Sequence, residues 1–131
     1  MHATGNFEVK VQPQAADNPQ AAAAGLGRLS LDKRFHGDLE ATSQGEMLAA
    51  GDGACGAYVA MEKISGTLHG RSGGFVLVHR ALMVDGTPQE WTVAVVPGSG
   101  SGELAGIGGS LAITQVDGKH HYDFSYTLPG H

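Results

Sequence analysis

A carboxylate and an imidazole stranded among apolar side chains can trade a proton near neutral pH, and Glu62 and His79 are placed that way. Lys63 and Arg80 are expected to face water. By period-two alternation this turns Tyr58, Ala60, Glu62, Ile64 and Leu68 inward from one strand, and Phe75, Leu77, His79, Ala81 and Met83 inward from the next. A two-residue turn at Gly70-Arg71 would make Glu62 and His79 direct cross-strand neighbours. A four-residue loop at Arg71–Gly74 would instead separate them by about 13 Å along the strands. A buried carboxylate is costly unless paired, so an adjacent imidazole would stabilise it and shift both titrations. The pair is the candidate catalytic acid and base; a purely structural pair that fixes strand register stands beside that reading. Tyr58, Phe75, Leu77, Trp91, Tyr122 and Tyr126 are the candidate ligand-binding wall, aromatic or apolar surfaces of which several carry a polar tip.

Other chemistry-bearing residues lead less far. His120 and His121 are adjacent on a predicted strand and point to opposite faces, so they cannot chelate one metal together. His36, His69 and His79 have no metal-ligand spacing, and no metal or cofactor is expected. Cys55 sits in a glycine-rich turn with no basic neighbour to lower its pKa, which favours an inert thiol. The stretch Gly98–Gly102 is glycine-rich, but no helical pattern follows to aim its amides at a phosphate. A flexible turn is the expectation there.

The elements that must position these groups are strands. The chain has 131 residues, enough for one domain, residues 1–131. Its 21 glycines are about twice the usual share of roughly 7% and argue for many turns over long helices. Phe7, Val9 and Val11 begin the alternation, followed by Leu29–Phe35 and Leu39–Met47. Strands from Ala57 to about His69 and from Phe75 to Val84 form a hairpin. Trp91–Val96, Leu104–Val116 and Lys119–Leu128 complete eight, the last two joined by an Asp117-Gly118 turn. Residues 13–27 have no strand pattern, and their four-alanine run is too short to hold a helix unaided; a flexible loop is expected. Eight strands with short connections suit an antiparallel up-and-down β-barrel, since closure removes exposed edges. A β-sandwich is the alternative.

Composition narrows the partners. A net charge of −5 would repel nucleic-acid phosphates and anionic membranes, so neither is expected. No apolar run approaches the roughly 20 residues of a membrane-spanning helix, and the N-terminus has no secretory pattern. The single cysteine excludes an internal disulfide and suits a reducing, cytoplasmic location. Val76, Val78, Leu82 and Val84 would form an outward apolar stripe, the basis for expecting a homo-oligomer.

The runs Phe35–Leu48, Gly56–Glu62, Gly66–His79, Gly102–Gly106 and Asp117–Leu128 resemble a bacterial family known as domain of unknown function 3224. The resemblance spans nearly the whole chain, although residues 13–27 are longer and richer in alanine than the family pattern. That family is similar in fold to the allene oxide cyclase barrel, an eight-stranded antiparallel barrel shared with dirigent proteins. Its relatives hold reactive apolar intermediates in one conformer and steer ring closure or coupling, often without a cofactor and as oligomers. The resemblance therefore implies a barrel that binds a small apolar, oxygenated ligand and acts as a cofactor-free isomerase or cyclase. A non-catalytic ligand-binding barrel, or a structural oligomerising one, is the alternative.

Overall fold

Alternating apolar and polar residues can bury one face and wet the other only if the chain is extended and paired. The computed structural model, which describes residues 1–15, 18–52 and 54–130, shows this nearly throughout. The elements are β1 (His2–Gln14), α1 (Pro19–Ala23), β2 (Gly27–Gly37), β3 (Leu39–Gly51), β4 (Gly56–Leu68), β5 (Arg71–Val84), β6 (Thr87–Val95), β7 (Ser101–Gly102), β8 (Gly108–Val116) and β9 (Lys119–Thr127). Strands β1 to β6 pair in chain order, β6 pairs with β8, β8 with β9, and β9 returns to β1, all antiparallel. This is a closed eight-stranded barrel. The two-residue β7 pairs with Gly73 and Gly74 of β5, on the edge that β6 occupies from Leu77 onward.

Three hairpins set the register, and all use two-residue turns with both residues left-handed. They are His69-Gly70 (φ 47° and 80°), Asp85-Gly86 (50° and 77°) and Asp117-Gly118 (52° and 77°). That backbone matches the twist of the flanking strands. The β4–β5 turn differs from both expected from the sequence, because His69 accepts a conformation that usually selects glycine or asparagine. Leu68 therefore pairs with Arg71, Glu62 lies opposite Leu77, and His79 lies opposite Ala60. Glu62 and His79 are diagonal neighbours on one face.

Two stretches depart from expectation. Strand β1 runs on through Gln14, and α1 forms where a loop was expected. Asn18 caps it, its Oδ1 accepting from Gln20 N at 3.0 Å and Ala21 N at 3.4 Å, with Pro19 in the first turn. Residues 16 and 17 of that stretch lie outside the described residues, as does Gly53. The strand expected from Leu104 begins at Gly108 instead. Leu104 and Ile107 sit in turns closed by Leu104 N donating to Ser101 O and Ile107 N to Leu104 O. Both side chains are buried and plug the lower end of the barrel.

The lower lumen is solid. Leu39, Ile64, Leu68, Phe75, Leu77, Phe124 and Tyr126 are buried there in one cluster with Leu104 and Ile107. The upper end, where β1, β3, β5 and β8 finish, is looser. The β1–β9 ladder stops at Phe7 opposite His120, so Glu8–Gln14 pair with β2 alone. On its other side the β8–β9 hairpin meets β6 through a single pair, Ala94 with Ser110.

Candidate functional site

Four adjacent strands each turn one polar side chain into the lumen at the level where the solid core ends. These are Lys33 on β2, Ser43 on β3, Glu62 on β4 and His79 on β5, all buried. Glu62 is the hub. Its Oε2 accepts from Lys33 Nζ at 2.7 Å and lies 2.6 Å from His79 Nε2, while Oε1 accepts from Ser43 Oγ at 3.0 Å. The Lys33 ammonium also lies 5.0 Å from the Phe7 ring centre and 5.9 Å from that of Phe35. Gly45 lies opposite Glu62, and a Cβ there would meet Met61 O at 2.1 Å. The missing side chain lets β3 approach β4 beside the carboxylate.

Burial opposes the charge on Glu62, but the His79 hydrogen bond and the Lys33 cation outweigh it and bring the pKa to about 2. The carboxylate is ionised at neutral pH and can only accept. His79 Nε2 must then carry a proton and donate it to Glu62, which fixes the tautomer. Nδ1 has no partner among the described residues, where no buried side-chain nitrogen or oxygen is left unsatisfied. The free nitrogen is therefore reachable from outside the protein.

Above this cluster lies a cavity of about 240 Å³. Lys33 and His79 form its floor; Phe7, Val9, Val11, Leu31, Ala60 and Ile113 are apolar wall, and Met47, Tyr58, Trp91 and His120 stand around it. Glu62 takes no part in the lining, because its partners cover it. A rim hollow of about 330 Å³, which also uses Met47 and Tyr58, continues toward Gly27, Ala49 and Met83.

Of the residues singled out from the sequence, Glu62, His79, Tyr58 and Trp91 converge at this cavity or its floor. Phe75, Leu77, Tyr122 and Tyr126 do not reach it. Phe75 and Leu77 are packed in the solid half. The Tyr122 hydroxyl donates to His36 O at 2.9 Å and accepts from Leu39 N at 2.9 Å, and the Tyr126 hydroxyl bonds His69 Nδ1 in the β4–β5 turn. Lys33 and Ser43 belong to the buried cluster and were not singled out from the sequence. The signal was present: Lys33 has the parity of Leu29, Leu31 and Phe35, and Ser43 that of Leu39, Ala41 and Met47. His36 faces Glu8 at 3.2 Å on the outer surface, away from His79. Among the described residues no three His, Cys, Asp or Glu side chains are grouped to hold a metal ion.

The architecture defines a class, a small antiparallel β-barrel whose lumen is packed below and open above, with a buried Lys–Glu–His cluster between. The chain belongs to the DUF3224 family, proteins of unknown function, whose model matches residues 3–126. It is similar to the crystal structure of a DUF3224 protein of unknown function from Shewanella oneidensis MR-1. The two are 43% identical, superpose with a TM-score of 0.88, and the match covers 100% of this chain and 98% of that one. No curated protein matches the chain.

Proposed function

We propose that the barrel binds a small apolar, oxygenated molecule in its upper cavity, and that His79, held by Glu62, moves a proton on it in a cofactor-free isomerisation or cyclisation. One observation carries the reading: His79 lines the cavity while the carboxylate that orients it, 2.6 Å away, is sealed behind it. With Nε2–H given to Glu62, the Nδ1 lone pair accepts a proton from the bound molecule, and the ionised carboxylate stabilises the resulting imidazolium. The same nitrogen returns the proton to a second atom, so atoms and charge balance over the cycle. Lys33 keeps Glu62 ionised throughout. The apolar walls restrict the ligand to few conformers and keep water from the reacting atoms. Since a 150 Å³ apolar cavity accepts benzene, this one suits a body of about ten non-hydrogen atoms.

A non-catalytic carrier is the second reading, favoured by the full pairing of Glu62. Native mass spectrometry of freshly purified protein, followed by incubation in D2O, separates the two. Under our reading a small molecule copurifies and gains solvent deuterium on the wild-type protein but not on the His79→Gln variant. A retained molecule that gains none on either protein identifies a carrier. Failure to copurify any molecule, with no change in Trp91 emission on adding small amphiphiles, overturns the binding site itself.

A further inference from the structure

Among the described residues that line the cavity, Lys33 brings a positive charge and no carboxylate is present. Lys33, Tyr58, Trp91 and His120 can each donate an N–H or O–H, while His79, whose Nε2–H goes to Glu62, offers Nδ1. Glu62 lies behind Lys33 and His79, and its side chain is 0% exposed. The Lys33 ammonium has three protons, of which one goes to Glu62 at 2.7 Å. The others are held near the faces of Phe7 and Phe35, which attract a cation but cannot replace an oxygen acceptor. Such a site lacks an acceptor-only partner. In the low dielectric of an apolar lumen an anion there gains far more than it would in water.

The opposite end of the space is apolar. The rim hollow is walled by Gly27, Met47, Ala49, Gly56, Tyr58 and Met83, with no charged side chain among the described residues that line it. On β5, His79 and Met83 are four residues apart on the same inner face, which places the rim about 13 Å above the floor. A head group at the floor therefore has apolar surface above it for its tail, since the two hollows share Met47 and Tyr58.

We infer that the ligand is an aliphatic monocarboxylate of medium chain length, its carboxylate seated on the Lys33 ammonium and its tail running past Met47 and Tyr58 toward the rim hollow. The inference rests on the cavity being a ligand site and names the class of ligand. Trp91, the single tryptophan, lines the cavity and reports occupancy directly.

The test is a fluorescence titration with octanoate, 1-octanol and acetate. Octanoate should bind about tenfold or more tighter than 1-octanol, the difference expected of charge-assisted hydrogen bonds, and acetate should leave the emission unchanged. Added salt should weaken octanoate and not 1-octanol. Lys33→Met, which keeps the alkyl stem against the two phenyl rings, should abolish the preference, while Lys63→Met on the outer face should not. Equal affinity for octanoate and 1-octanol overturns the anionic head yet leaves the amphiphile cavity standing. No response to any of the three overturns both. If Lys33→Met fails to fold, the wild-type head-group and salt comparisons decide the matter alone.

Discussion

Glu62 makes the protein's stability depend on acid in a defined window. Its pKa falls from 4.5 to about 2 on folding, so the native state holds fewer protons than the unfolded chain between those values. The stabilisation is complete above about pH 4.5 and is lost as pH falls toward 2. Its size is on the order of 3 kcal/mol from the width of the shift. Urea midpoints measured from pH 6 downward should drop steeply through this window in the wild type, and Glu62→Gln should remove that part of the slope. At neutral pH the same substitution leaves the Lys33 charge without its counter-ion and should cost about 3 kcal/mol or more. An unchanged neutral midpoint would mean that the cluster holds no charge. His79→Gln, which can still donate to the carboxylate, should be milder in stability while losing proton transfer.

The strands that carry these groups show which features were legible from sequence. Alternation alone put Glu62 and His79 on the inner face, because Lys63 and Arg80 beside them belong in water. It gave side but not height: Phe75, Leu77, Tyr122 and Tyr126 do point inward, yet register and barrel shear set them in the packed half. Lys33 escaped because a lysine reads as a surface residue unless its counter-ion is known, and that counter-ion lies 29 positions away on another strand. The hairpin turn was misplaced because a non-glycine residue in the left-handed region is uncommon, and His69 takes that conformation. Gly45 marks how closely β3 and β4 must approach at the cluster. Gly45→Ala would force its Cβ against Met61 O, 2.1 Å away, and toward Glu62 Cα, 2.8 Å away. We expect a loss of about 1–3 kcal/mol and a displaced Glu62, read as a lowered melting temperature together with weakened octanoate binding.

Across the whole molecule, the outer surface of β4 and β5 bears apolar side chains that the barrel itself does not cover. Val59 is 50% exposed and Met61 60%, beside Val76, Val78 and Leu82, which are half-buried, and Val84, which is exposed. Met61 lies directly opposite Val78, so the side chains form one patch across the ladder. This apolar patch, with Arg80 opposite Val59 inside it, is of the kind a two-fold contact between copies would use. Light scattering should return more than one copy per particle, and Met61→Glu should shift it toward the monomer without altering the lumen. A wild-type monomer at all concentrations would remove this role from the patch.

The early end of the β1–β9 ladder has a consequence for solvent contact. From Gly5 to Phe7 the strand has a paired neighbour on each side, whereas from Glu8 to Gln14 it has one. Successive amides of a strand point to opposite sides, so beyond Phe7 every second proton meets water instead of a carbonyl. Deuterium uptake resolved by residue should rise and fall with a beat of two along that stretch and stay uniformly slow before it, a fingerprint of where the cylinder is left unstitched.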